Sequence, residues 1–262
     1  MTRATRFPVE DAARLFRLDD RVAIVTGASS GVGRRFAGVL TAAGAKVALA
    51  ARRADRLEKL ARELRDSLPV QCDVTKESDV ETLVGKTVDR YGKIDILVNA
   101  AGTADPHAAA EEPLESFREV VTLNLIAAFS VAQRAGRAML RQGSGSIINI
   151  ASVLGLVGGG LRPLPGYAAS KGGLVNLTRQ LALEWAARGV RVNALAPAYF
   201  ESELTAEIFA SPKALEAISR MTPLGRPGLP HELDGPLLFL ASDASSYVTG
   251  HVLAVDGGFL AR

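Results

Sequence analysis

At 262 residues, with 48% hydrophobic and 23% charged side chains, the chain has globular composition and length enough for one large α/β domain around a contiguous core. A formal net charge of +3, spread along the chain, leaves no electrostatic footprint for nucleic acid, and no stretch reaches the roughly 18 apolar residues of a membrane helix. A single cysteine, Cys72, excludes an intrachain disulfide, and His107, His231 and His251 lack the spacing of metal ligands.

The first twenty residues mix Arg3, Arg6, Arg14 and Arg17 with Glu10, Asp11, Asp19 and Asp20. The acids argue against a transit peptide, and no apolar run marks a signal peptide. Residues 1–20 are therefore expected as an extension on the surface or at a subunit contact, ahead of one domain over 21–262, in a cytoplasmic protein.

The stretch RVAIVTGAS (21–29) is a compact apolar run ending in small residues, so it predicts a buried strand. A helix over 31–44 and a second strand over 45–51 follow. Residues 54–68 place Leu57, Leu60, Ala61, Leu64 and Leu68 on one stripe of an amphipathic helix. Then come a third strand (69–74), a helix (about 76–91), a fourth strand (94–102) and a long helical segment (about 113–141). A fifth strand (145–152), a glycine-rich loop (155–166), a helix (about 167–188), a sixth strand (190–197) and a seventh (250–258) complete the pattern. Strands apolar on both faces and joined by helices require a parallel sheet with helices on each side, a doubly wound Rossmann-like fold in a single domain. Ligands of such sheets bind beyond the carboxyl ends of the strands, where the informative residues fall.

The first strand runs into Thr26-Gly27-Ala28-Ser29-Ser30-Gly31-Val32-Gly33. Glycines there let the backbone approach a pyrophosphate, and the following helix offers free N–H groups and its positive dipole end. A second cluster is Tyr167-Ala168-Ala169-Ser170-Lys171. Residues four apart share a helix face, so a phenol and an ammonium can serve one site. A tyrosine with an ordinary pKa of about 10 is too weak an acid near neutrality, and a neighbouring cation is expected to lower it. With Ser152 at the end of the fifth strand, the pair suits proton exchange with a carbonyl/alcohol substrate.

The TGxxxGxG spacing and the Ser152, Tyr167, Lys171 set resemble the classical short-chain dehydrogenase/reductase family over about residues 20–260. The resemblance implies that Tyr167 exchanges the substrate proton, that Lys171 holds the nicotinamide ribose and tunes Tyr167, and that Ser152 binds the carbonyl oxygen. Asn124 would complete the tetrad by anchoring a water in the proton relay. Gly27, Ser29, Ser30, Gly31, Val32 and Gly33 would cradle the dinucleotide. Cys72, Asp73 and Val74 would border the adenine, and Asn99, Ala100, Ala101 and Gly102 match the NNAG motif with one change. Pro197, Ala198, Phe200 and Ser202 fall on the segment that meets the carboxamide, with Ala198 replacing a glycine and Ser202 a threonine. The interval from Ser152 to Tyr167 is two residues longer than is usual in the family, which points to an enlarged loop beside the substrate.

Where enzymes of this fold that prefer NAD place an acid at the end of the second strand, this chain has Ala51, then Arg52 and Arg53. An arginine fork matches a phosphate, so NADP(H) is expected over NAD(H), with Arg52 as the main clamp and Ser29 as a hydroxyl partner. The segment 198–229, with Phe200, Leu204, Ile208, Phe209, Leu215, Ile218 and Met221, is expected to form a lid. Arg162 in the enlarged loop is either a solvated charge or a substrate contact. The expected activity is interconversion of a ketone or 3-oxoacyl group with a secondary alcohol. A sugar-acid or polyol dehydrogenase, and a catalytically silent nucleotide sensor, are the alternatives. The small-molecule substrate has no macromolecular counterpart among the expected partners beyond a second copy, since the family resemblance implies a homotetramer.

Overall fold

In the computed structural model, residues 9–261 are described; the expected extension at 1–20 falls partly outside them, at 1–8. Seven strands, β1 (Val22–Thr26), β2 (Lys46–Ala51), β3 (Ser67–Gln71), β4 (Ile96–Asn99), β5 (Gly145–Ile150), β6 (Val190–Pro197) and β7 (Val252–Val255), form one sheet in the order β3-β2-β1-β4-β5-β6-β7. Every neighbouring pair is parallel. This is the doubly wound, single-domain Rossmann-like architecture that the alternating apolar pattern requires.

Successive residues of each strand face opposite sides and build two cores. Val25, Val47 and Leu49 pack with Phe36 and Leu40 of α1 (Gly31–Ala42), Leu57 and Leu60 of α2 (Ala54–Glu63) and Leu237 and Leu240 of the late helix Asp234–Ala241. Ile24, Ala48 and Ala50 face the other side, where α3 (Glu77–Tyr91) contributes Val80 and Leu83. Leu18, just before β1, is fully buried in the first of these cores. The two halves of the sheet meet between β1 and β4, the chain passing from β3 to β4 through α3, and a crevice opens at that meeting beyond the strand ends.

Three expected elements differ. The second helix stops at Glu63, and Leu68 belongs to β3, paired with Ala48. Asp66, in the left-handed region at φ 50°, turns the chain, and the ladder ends where Ala51 meets Gln71, so Cys72, Asp73 and Val74 lie beyond the strand. The segment expected as one helix over 113–141 comprises α4 (Leu114–Val121), a π-helical turn (Thr122–Ile126) and α5 (Ala127–Gln142). Next, α6 (Pro165–Trp185) starts with proline in its first turn, where the missing N–H costs nothing. Between β6 and β7 the expected lid contains a 3-10 turn (Glu203–Thr205), α7 (Ala206–Phe209) and α8 (Pro212–Met221), ahead of α9, the late helix named above. Within the lid Phe200 and Ile218 are buried while Leu204 is exposed.

Candidate active site

A cleft of about 590 Å³ runs along the carboxyl ends of the central strands. Its floor begins where β1 ends and the glycine loop turns into α1. Gly27 and Gly31 adopt φ of +69° and +52°, a region that favours glycine. A Cβ on Gly33 would sit 2.4 Å from the Gly27 carbonyl oxygen, so any side chain there would force the turn apart. The α1 N-terminus has no side-chain cap, and Gly31, Val32 and Gly33 line the cleft. An uncapped helix start beside tightly apposed glycines suits a pyrophosphate.

Of the residues expected to hold the nucleotide, Gly27, Ser29, Ser30, Arg52, Arg53, Cys72, Asp73, Val74, Ala100, Ala101, Gly102, Pro197, Ala198, Phe200 and Ser202 all line this cleft. Asn99 does not. It is buried in the sheet, where its amide donates to the Ala128 carbonyl at 3.1 Å and to Asn149 Oδ1 at 3.0 Å. Thr26 supports the floor from below, its hydroxyl accepting from the amides of Ala100 and Ala101 at 3.1 and 3.2 Å. Cys72 is a buried thiol pushed up to about 12 by burial, with Asp79 and Asp73 adding to the effect, so it acts as a small apolar wall. For Asp73, burial opposes ionisation, but hydrogen bonds from the Thr75 hydroxyl and amide, with Arg52 and Lys76 nearby, hold the carboxyl below its ordinary value.

The arginine expected as the main clamp is not the one that faces the loop. Arg52 is exposed, whereas Arg53 donates to Ser29 Oγ at 2.9 and 3.1 Å and to Ser30 Oγ at 2.6 Å. The chain leaves β2 at Ala51 and starts α2 at Ala54, and this turn carries Arg53 over the glycine loop.

At the other end of the cleft stand Ser152, Tyr167 and Lys171. Ser152 follows β5; its hydroxyl accepts from the Leu154 amide at 3.1 Å, and it stands beside the Tyr167 phenol, which it holds down against the effect of burial. The longer interval between them is taken up in the loop after Gly155, where Gly159 and Gly160 have φ of +119° and +122°. Ser146, the other serine of this strand, is buried and donates to the Leu240 carbonyl, away from the cleft. Lys171 is buried, donates to the Ile150 carbonyl at 2.7 Å and stands 5.6 Å from the Tyr167 ring centre. Burial depresses the ammonium to about 8. The expectation that this cation lowers the phenol does not hold here: burial raises Tyr167, and the opposing influence is the Ser152 hydrogen bond.

Asn124 lies behind the cleft in the π-helical turn, buried rather than lining it. Its amide oxygen accepts from the Thr103 N–H at 2.8 Å, and its nitrogen donates to the Thr103 carbonyl at 2.8 Å and to Ser170 Oγ at 3.0 Å. A Cβ on Gly102 would meet Asn124 Oδ1 at 3.1 Å and Lys171 Nζ at 3.5 Å, so the two groups share one corner. The extra residue of a π turn is a common device for re-aiming a functional side chain.

A family model described as Enoyl-(Acyl carrier protein) reductase matches residues 27–260. The chain belongs to the classical short-chain dehydrogenase/reductase family. Among members of this family, the galactitol 2-dehydrogenase (L-tagatose-forming) of Cereibacter sphaeroides is 41% identical over 251 residues, covering 95% of this chain and 98% of that protein. The 3-oxoacyl-(acyl carrier protein) reductase of Thermotoga maritima is 38% identical, with 93% and 99% covered. A crystal structure of a gluconate 5-dehydrogenase from Burkholderia cenocepacia, in complex with NADP and tartrate, is 36% identical and superposes with a TM-score of 0.91 over 95% of this chain and 98% of that one. As a short-chain dehydrogenase/reductase, the chain is a nicotinamide-dependent oxidoreductase of CH–OH and C=O groups.

Three residues that support the site are given no role by the sequence alone. Thr103 and Ser170 hold Asn124, and Glu203 bonds Arg53 and Arg56 across the mouth. The acid directly after Ser202 and the arginines at 52, 53 and 56 are visible in the sequence, but 147 residues separate Glu203 from Arg56.

Proposed function

We propose that this short-chain dehydrogenase/reductase is an NADP(H)-preferring enzyme that interconverts a ketone and a secondary alcohol, with Tyr167 exchanging the substrate proton. The observation that carries this reading is the meeting of Ser152, Tyr167 and Lys171 at one end of a cleft whose other end offers an uncapped helix start and Arg53. When bound, NADP(H) supplies or accepts the hydride. The glycine loop and the α1 N–H groups fit its pyrophosphate, and Arg53 with Ser29 and Ser30 fits its 2′-phosphate.

Ser152 and Tyr167, side by side at one end of the cleft, offer two hydroxyls to a substrate oxygen. In reduction Tyr167, raised by burial, is neutral at pH 7 and ready to donate. As the proton leaves, the phenolate is stabilised by Ser152, which opposes the rise that burial imposes on Tyr167, while Lys171, 5.6 Å from the ring centre, is placed to hold the nicotinamide ribose. Asn124 holds the wall behind Lys171 and would anchor the water through which the proton is replaced.

Ketones and 3-oxoacyl groups are the first substrate class. Polyols and sugar acids are the second, favoured by the galactitol and gluconate enzymes among the relatives. Arg162 donates to Glu207 at 2.9 Å and ties the enlarged loop to the lid, which fits a structural tether better than a free carboxylate clamp. Steady-state kinetics with 3-oxoacyl thioesters, simple ketones, polyols and sugar acids, each with both nicotinamides, tests the reading. Turnover of none of them would overturn it. We place the enzyme in the cytoplasm as a homotetramer, in keeping with Ile126 and Phe129 left exposed along the long helices and Leu183 on α6.

A further inference from the structure

The mouth of the nucleotide cleft already contains a carboxylate. Arg53, which reaches Ser29 and Ser30 with Nε and Nη2, gives its remaining Nη1 to Glu203 Oε2 at 3.2 Å. The second oxygen, Oε1, accepts from Arg56 at 2.6 Å. Glu203 opens the 3-10 turn of the lid, while Arg53 and Arg56 flank the start of α2, so the contact joins two elements across the groove. Ala51 contributes no acid at the end of β2, and the only carboxylate bonded to Arg53 among the described residues is this one. Its Oε2 takes one nitrogen of the guanidinium whose other nitrogens rest on two serine hydroxyls, a group of donors suited to a phosphate monoester.

We propose that Glu203 is a specificity-determining residue that competes with the 2′-phosphate of NADP(H) for Arg53, and so limits the advantage of NADP(H) over NAD(H). The inference rests on the reading of Arg53 as the 2′-phosphate clamp. A phosphate monoester carries about −1.5 to −2 charges at neutral pH, so it is repelled by the carboxylate and must break the Arg53 contact to enter. NAD(H), with a ribose hydroxyl there, meets neither obstacle. The Arg56 contact leaves Glu203 a partner on α2 once Arg53 is given up. Side chains at the contact are about half exposed (40% for Arg53, 56% for Glu203), so the barrier is modest.

Isothermal titration calorimetry on the full chain with adenosine 2′,5′-bisphosphate and with ADP tests this without turnover. Glu203→Gln is expected to tighten the bisphosphate about three- to tenfold and to leave ADP within about twofold. The gain should vanish in an Arg53→Gln background. Equal shifts for both nucleotides, weaker bisphosphate binding, or a gain that survives loss of Arg53 would each overturn the proposal, the first two by showing a lid tether or a ribose contact instead. Failure of the clamp reading shows separately: the wild-type chain would bind ADP as tightly as the bisphosphate, and Arg53→Gln alone would change neither.

Discussion

The Lys171 ammonium donates at 2.7 Å to the main-chain carbonyl of Ile150, while the ring centre of Tyr167 lies 5.6 Å away. Both groups stand on one turn of α6 against the end of β5, the ammonium on the Ile150 carbonyl and the phenol beside Ser152, so the strand end sets how the two are spaced.

Tyr167→Phe removes the proton donor and keeps the ring. We expect kcat/KM to fall about 10²–10⁴-fold, the usual contribution of a positioned acid or base, with nucleotide affinity retained. Nucleotide fluorescence titration beside single-turnover kinetics checks both halves. Unchanged turnover would remove Tyr167 from the chemistry.

Lys171 also leaves a mark on stability. Its native value, about 8, lies below the ordinary 10.5 because burial disfavours the charged form. Between those values the unfolded chain binds more protons than the native one, so this contribution to unfolding free energy rises with pH. The burial penalty is complete below about pH 8 and is relieved as pH climbs toward 10.5. Against Lys171→Met, the wild-type chain should gain about 2–3 kcal/mol in relative stability from pH 7 to pH 10 without nucleotide. Tyr167 titrates in both proteins and cancels in the difference. Urea unfolding at several pH values measures it; a pH-independent difference would refute the assignment.

How far these features were legible beforehand follows from the range of the interactions. Strands such as Val22–Thr26 are buried along their whole length, and an unbroken apolar run reports that directly. The glycine loop and the Tyr167–Lys171 pair are local, set by a turn and by one helical repeat. The choice between Arg52 and Arg53 is not local: adjacent residues of the same type are sorted only by the turn from Ala51 to Ala54, which the sequence does not state. The early end of β3 depends on where its partner β2 stops. The π turn at Thr122–Ile126 and the Glu203 contact need tertiary partners from distant segments, and no periodicity announces either.

Thr26 offers a test of the cleft floor. Its hydroxyl accepts two amides, those of Ala100 and Ala101, at the junction of β1 and β4. Thr26→Val keeps the shape and strands both donors, at a cost of about 1–3 kcal/mol each where water cannot reach them. We expect a lower urea midpoint with an unchanged slope, and weaker nucleotide binding because Gly27 packs on the same backbone: a Cβ there would meet the Ala100 oxygen at 2.9 Å. Wild-type stability in this variant would show that the amides find other acceptors.

Cofactor preference is the most direct consequence of the turn after β2. Ala51 is 8% exposed at the carboxyl end of the strand, and Arg53 rests on Ser29 and Ser30. We expect kcat/KM with NADPH to exceed that with NADH by about tenfold or more, since one phosphate–guanidinium contact in a partly enclosed site is worth about 1.5–3 kcal/mol. Ala51→Asp supplies an acceptor for a ribose hydroxyl and repels a phosphate, while Arg53→Gln removes the clamp. Each change should move the ratio toward NADH, and the pair together should fall short of the sum because both act on the same phosphate. Kinetics with both nicotinamides at fixed ionic strength measure the ratio. Equal constants in the wild-type enzyme, or a preference for NADH that Arg53→Gln leaves untouched, would show that Arg53 serves the loop and the lid alone.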